Sequence, residues 1–176
     1  MKSNIALIGF MGSGKSTVGK RLARRLDRDF IETDRLIEKR ATMPISGIFN
    51  DRGETGFRDL EEEIVKEVAA SQQNAVISCG GGVVLRQANV DRLKETANIV
   101  YLEAETAVLQ DRLAASRKRP LLNSPDRDQI IEELHEARRP LYEAAAEITV
   151  KTGKRPFGAV INEIVEKLGI DESHDR

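Results

Sequence analysis

The chain has 176 residues, 40% of them hydrophobic and 32% charged, which is enough for one domain with a real core. Its 28 basic and 29 acidic side chains leave a formal net charge of −1, which argues against bulk electrostatic attraction to nucleic acid or to a membrane surface. Cys79 is the only cysteine, so no intramolecular disulfide can form; no apolar run is long enough to span a bilayer and no secretory leader is visible, and a reducing, cytoplasmic compartment is expected.

In chain order, Ile5-Ala6-Leu7-Ile8 reads as a short buried parallel strand. It runs into Gly9-Phe10-Met11-Gly12-Ser13-Gly14-Lys15-Ser16-Thr17, which fits the phosphate-loop pattern G-x-x-x-x-G-K-[ST]. A helical pattern with Val18, Leu22 and Leu26 on one stripe follows. This strand–loop–helix context gives the motif its meaning. The glycines let the backbone turn tightly, and the N–H groups of the loop and the helix N-terminus then face an anion. Gly12, Ser13, Gly14, Lys15, Ser16 and Thr17 are therefore the expected nucleotide-binding residues, with Lys15 reaching the β- and γ-phosphates and the Ser16 hydroxyl offered to Mg²⁺.

A second short strand, Phe30-Ile31, ends in Glu32-Thr33-Asp34. Ligands of open α/β sheets sit outside the carboxyl ends of the strands, so these carboxylates are candidates for chemistry, and Asp34 can also cap the helix 35–40 that follows. Thr42-Met43-Pro44 breaks that helix, 45–51 forms a short one ended by Gly53, and a longer helix carries Phe57, Leu60, Ile64, Val65 and Val68 on one face. Arg58 lies near its start with Glu61 three residues on, which reads equally well as a surface pair. The third strand, 75–79, ends without the acid expected of a Walker B strand and is followed by Gly80-Gly81-Gly82, a sign of close backbone approach or of an anion nest. A metal-side acid must then be Glu32, Asp34 or Glu103.

Helix 87–95, strand 99–102 and helix 106–115, which carries Arg112, lead to residues 116–126, a basic segment with two prolines and no periodicity that suits a lid bearing Arg119. Helix 127–146 holds Arg138 and is expected to kink at Pro140; strand 148–150, a loop and a last helix opened by Pro156 complete the chain. The βαβα order predicts a three-layer α/β domain over residues 1–170, with a polar tail at 171–176.

A phosphate loop, strand-end acids and lid arginines make a phosphotransfer kit. The strings D-x-x-G and N-K-x-D of a GTPase are absent, and no Walker B acid or basic surface marks a motor ATPase. A small-molecule kinase fits best, and Arg58, Arg138 and the triple glycine point to an acceptor with its own negative charge. In the combination of the phosphate loop with Thr33-Asp34, Gly53-Glu54, Phe57-Arg58, Gly80-Gly81-Gly82, Arg119-Pro120-Leu121-Leu122 and Arg138 with Pro140-Leu141-Tyr142, the chain resembles the shikimate kinase family, within the nucleoside monophosphate kinase structural group, from about residue 4 to 168.

The resemblance implies a five-stranded parallel sheet of order 2-3-1-4-5, acceptor-binding helices at about 35–70, and ATP- and Mg²⁺-dependent phosphorylation of the 3-hydroxyl of shikimate, on the route to chorismate and the aromatic amino acids, by a monomer. It implies that Asp34 holds the shikimate hydroxyls and serves as base, that Arg58 and Arg138 bind its carboxylate, and that Gly81 offers a backbone contact. Arg119 would reach the phosphates from the lid, Ser16 would stand on the magnesium side with Glu32 acting through water, and Arg155 would lie in the adenine loop. The chain departs from the family pattern in two places: Glu32 stands where Asp is usual, and Lys151-Thr152-Gly153-Lys154-Arg155-Pro156 replaces the usual adenine loop. A gluconate kinase would share the loop and lid without the Arg58–Arg138 pair.

Overall fold

The structure is a computed structural model and describes residues 1–114 and 124–170. The lid expectation at 116–126, including Arg119, and the tail at 171–176 therefore fall mostly outside the described residues; Ser124 to Asp126 form the turn that leads into the next helix.

Five strands, β1 (Asn4–Ile8), β2 (Asp29–Glu32), β3 (Ala75–Ser78), β4 (Ala97–Glu103) and β5 (Ile148–Lys151), form one parallel sheet of order β2-β3-β1-β4-β5. Because strand side chains alternate between faces, β1 feeds two separate cores. Ile5 and Leu7 pack with Val76, Val100, Leu102 and Val150 under α1 (Lys15–Arg25) and α7 (Phe157–Leu168). Ala6 and Ile8 face the other way, into a larger cluster capped by α2 (Thr33–Ala41), α3 (Ile45–Ser71), α4 (Gln87–Thr96), α5 (Thr106–Ala114) and α6 (Arg127–Ala145). Strands buried on both faces explain why they read as continuous apolar runs.

Turn chemistry sets the positions that matter for the site. Thr42 ends α2 in the left-handed region (φ 55°) and Pro44 starts α3, which breaks at Gly53 (φ 68°) into the short and long helices expected from the sequence. The long part buries Phe57, Leu60, Ile64, Val65 and Val68 as its periodicity requires. Two expectations change. Asp34 lies within the first turn of α2 rather than capping it: Glu32 holds the cap position, and no side-chain cap bond forms there. The α6 helix runs unbroken through Pro140. No helix among the described residues is long and apolar enough to cross a membrane.

Candidate active site

At the carboxyl end of β1 the chain turns through Gly9 (φ 151°), Gly12 (φ 81°) and Gly14 (φ 98°), backbone conformations that other L-residues rarely adopt. Space is short as well, severely at Gly9 and slightly at Gly12. A methyl group on Gly9 would lie 2.7 Å from the Leu102 carbonyl oxygen, and one on Gly12 would lie 3.2 Å from Cγ of Leu113. The Lys15 Nζ donates to the carbonyl oxygens of Gly9 (2.8 Å) and Phe10 (2.9 Å), so the loop holds its own cation over the anion cradle. Arg112 ties the loop down from α5: Nη1 donates to the Gly12 carbonyl at 3.0 Å and Nη2 to the Gly153 carbonyl beyond β5.

A cleft of about 210 Å³ opens beside this loop, lined by Gly12, Gly14, Lys15, Ser16 and Thr17 on one side and by Glu32, Asp34 and Ser78 to Gly81 on the other. Glu103 is not among the lining residues. Glu32 is paired in register with Ser78 on β3, so the acid missing from the end of β3 is supplied by its neighbouring strand. The Ser16 hydroxyl donates to Oε1 of Glu32 at 2.5 Å, while Oε2 of Glu32 pairs with Nε of Arg35 at 3.0 Å. No group of three or more His, Cys, Asp or Glu is gathered among the described residues to hold a metal by protein ligands alone. One hydroxyl and one carboxylate beside a phosphate cradle suit Mg²⁺, which keeps several waters and takes substrate phosphates as ligands.

The far wall of the cleft is built around Gly80-Gly81-Gly82. None of the three has positive φ, so the anion-nest reading does not apply; side chains crowd Gly80 and Gly82, while Gly81 lies against the backbone of Met11 and Gly9. A methyl group on Gly80 would lie 2.8 Å from both Oδ1 of Asp34 and Oε2 of Glu61. One on Gly81 would lie 3.7 Å from Nη1 of Arg138, and one on Gly82 would overlap the guanidinium of Arg58. Asp34, Arg58, Gly81 and Arg138, drawn from four separate stretches of sequence, thus meet at one glycine turn. Arg138 is 8% exposed and sits over the Phe10 ring, its Cζ 5.8 Å from the centroid.

Three supporting residues, Glu61, Thr33 and Tyr142, were named from the sequence without being given a place in the site. Glu61 is wholly buried and pairs with Arg58 at 2.8 Å, Oε1 to Nη1, while its Oε2 has no hydrogen-bond partner among the described residues. Burial raises its pKa and Asp34 adds to the rise, against the opposing pull of Arg58 and Arg138. Thr33 accepts from the Gly80 N–H (3.2 Å) and donates to the Ser78 carbonyl (3.4 Å), fixing the glycine turn to the start of α2. The Tyr142 hydroxyl donates to the Gly81 carbonyl, one helical turn beyond Arg138. The helical offsets of Arg58 to Glu61 and of Arg138 to Tyr142 are visible in sequence; the burial of Glu61 and the contacts to the glycine turn are not. Cys79, beneath the glycines, is buried, and desolvation, with Glu61 next, pushes its thiol up to about 12; it is a core residue and no nucleophile, as expected. Arg155 points elsewhere: it donates to the Lys151 carbonyl at 2.8 Å and pairs with Glu163 at 2.6 Å on the outer side of α7.

A loop shaped to hold polyphosphate, facing across one cleft a carboxylate and a glycine turn against which two arginines lie, is the working geometry of a small-molecule kinase of the P-loop class. A family model described as shikimate kinase matches residues 11–169, and the chain belongs to the shikimate kinase family. It is 45% identical over 167 residues to the shikimate kinase of Symbiobacterium thermophilum, covering 94% of this chain and 95% of that one. In three dimensions it is similar to the shikimate kinase of Acinetobacter baumannii in complex with shikimate (TM-score 0.91, 31% identity, 98% of this chain and 96% of that one). It is likewise similar to the enzyme of Aquifex aeolicus (TM-score 0.82, 38% identity, 94% and 96%).

Proposed function

We propose that this protein transfers the γ-phosphoryl group of ATP to the 3-hydroxyl of shikimate, giving shikimate 3-phosphate and ADP on the route to the aromatic amino acids. The observation that carries the reading is the convergence of Arg58 and Arg138 on one glycine turn, with Asp34 on the same turn facing the phosphate loop. Two guanidinium forks match one carboxylate and hold a small ring in a single orientation. The ring hydroxyl at Asp34 attacks the γ-phosphorus in line with the bond to the leaving oxygen; that bond breaks as the new one forms, ADP departs and Asp34 accepts the hydroxyl proton. Lys15 stabilises charge on the transferring group, with the backbone N–H groups of Gly12 to Thr17 around it, and Arg119 joins it from the lid.

Ser16 and Glu32 would hold Mg²⁺, which neutralises charge on the β- and γ-phosphates when bound. The extra methylene of Glu32 lets it reach the Ser16 hydroxyl directly, which supports a place at the metal's hydration shell. For Arg155 to serve the adenine it must leave Glu163; Arg155→Ala with an unchanged KM for ATP would remove it from the nucleotide site. The protein is expected to act as a cytoplasmic monomer, which sedimentation of the purified chain checks. The function itself is tested by ADP release with MgATP and a panel of shikimate, gluconate and AMP. Turnover with shikimate alone is expected; turnover with gluconate in its place would overturn the assignment.

A further inference from the structure

His135 lies on α6 one turn before Arg138 and is 1% exposed. Its ring meets the ring of Phe10 at 5.2 Å between centroids, tilted by 53°. Phe10 is the same residue that seats the guanidinium of Arg138, and its carbonyl accepts from Lys15 (2.9 Å) and from the N–H of Ser13 (3.1 Å). Phe10 therefore ties the phosphate loop by its backbone to the acceptor arginine by its ring, and His135 is the buried group that packs against it from α6.

The hydrogen bonds of the imidazole define its charge state. Nδ1 is 2.9 Å from Oγ1 of Thr106, at the start of α5, and Nε2 is buried with no hydrogen-bond partner among the described residues. An imidazolium needs two acceptors, and among the described residues only the Thr106 oxygen is within reach; a neutral ring leaves one nitrogen bare at lower cost. The neighbours from other elements, Phe10 and Thr106, carry no charge. The charges that act on the ring come from α6 itself: Arg139 opposes protonation and Glu136 favours it, while burial, the largest influence, also opposes it. Arg138, one turn further along α6, meets the same Phe10 ring, its Cζ 5.8 Å from the centroid.

We propose that His135 is a positioning residue for acceptor binding: its neutral imidazole braces Phe10, and through Phe10 the guanidinium of Arg138, and protonation of the ring releases that brace. The proposal rests on the kinase reading above. It predicts a link between acidity and acceptor affinity that is larger than any effect on ATP, because His135 meets the ring of Phe10, whereas Lys15 and Ser13 are held by the backbone carbonyl of that residue.

The test measures KM for shikimate, KM for ATP and kcat between about pH 5 and pH 8 for the wild type, His135→Phe and His135→Ala, a range spanning ordinary histidine titration. In the wild type, KM for shikimate should rise on the acid side while KM for ATP stays level. His135→Phe keeps a ring against Phe10 and cannot be protonated, so its shikimate KM should stay near the neutral-pH value throughout. His135→Ala should raise it roughly three- to tenfold at every pH, the size of one aromatic contact. An acid-side rise that persists in His135→Phe, or a wild-type KM in His135→Ala, would overturn the proposal. Long-range proton–nitrogen spectra of the unliganded wild type give a reading that needs no variant: an imidazolium at neutral pH would sink the idea. A wild type that releases no ADP with shikimate defeats the kinase reading and this proposal with it; failure of the proposal alone leaves an active wild type that the variants match.

Discussion

The two glycine-rich turns at the head of the sheet look alike in composition and are glycine for different reasons. In the phosphate loop, Gly9, Gly12 and Gly14 take positive φ, so glycine is needed for the path of the backbone itself. In Gly80-Gly81-Gly82 the backbone is ordinary, Gly82 having φ −100°; Gly80 and Gly82 leave room for Asp34, Glu61 and Arg58, and Gly81 brings the turn against the Met11 backbone with Arg138 in ordinary contact. One turn presents its own N–H groups to a ligand; the other is a floor on which charged side chains from distant elements are laid. The nucleotide side is thus a local structure that any P-loop protein can make, whereas the acceptor side exists only when the whole sheet is assembled.

The difference can be tested from its largest consequence downward. Lys15→Ala removes a preorganised cation from the phosphate side and should lower kcat by about 10²–10³ in a protein whose melting temperature is unchanged. Near-normal turnover by that folded variant would break the assignment of the loop. Arg58→Lys and Arg138→Lys keep charge and lose the fork, and each should raise KM for shikimate by about tenfold or more with little change for ATP. Their effects should be less than additive in the double variant, since both act on one carboxylate. If ATP affinity falls instead, the two arginines belong to the nucleotide side.

The glycines themselves give the sharpest contrast. Gly82→Ala fits the backbone but displaces Arg58, so it should raise the acceptor KM several-fold and leave thermal stability nearly intact. Gly9→Ala forces a strained φ against the Leu102 carbonyl and should cost on the order of 1–3 kcal/mol of stability, read as a lower melting temperature. Matching stability losses in the two variants would erase the distinction drawn here. The smallest effect belongs to Tyr142→Phe: loss of one hydroxyl on the Gly81 carbonyl should raise the acceptor KM by a few-fold, about 1 kcal/mol, and a change in ATP KM instead would remove Tyr142 from the acceptor wall.

The same contrast accounts for what the sequence made legible. The phosphate loop is nine consecutive residues, and its flanking strand and helix could be read beside it, so the site, the sheet and the acids at Glu32 and Asp34 were all in view. The acceptor wall is held by contacts such as Tyr142 to Gly81, which are 61 positions apart, and Gly80 to Thr33, which are 47 apart. No local pattern encodes these. Glu61 next to Arg58 has the spacing of a surface pair, and only the closure of the glycine turn over it makes the pair a buried one. Arg155 shows the converse. Its position in the loop before α7 invites a ligand role, yet a neighbouring carboxylate on α7, Glu163, takes up its charge. The Asp34 cap failed because Glu32 already occupies the position before the helix, and Pro140 is accommodated within α6.

Cys79 carries a last consequence, one of rates rather than affinities. Its thiol lies beneath the glycine turn, buried, with burial holding its pKa up to about 12. At neutral pH it is therefore shielded twice from alkylating reagents, by lack of access and by lack of thiolate. Cys79 borders the cleft yet is only 2% exposed, so the speed of its modification reports on local opening around the cleft. A single native cysteine makes that clock readable without introducing a label. Shikimate, which would sit on the same turn, should slow it.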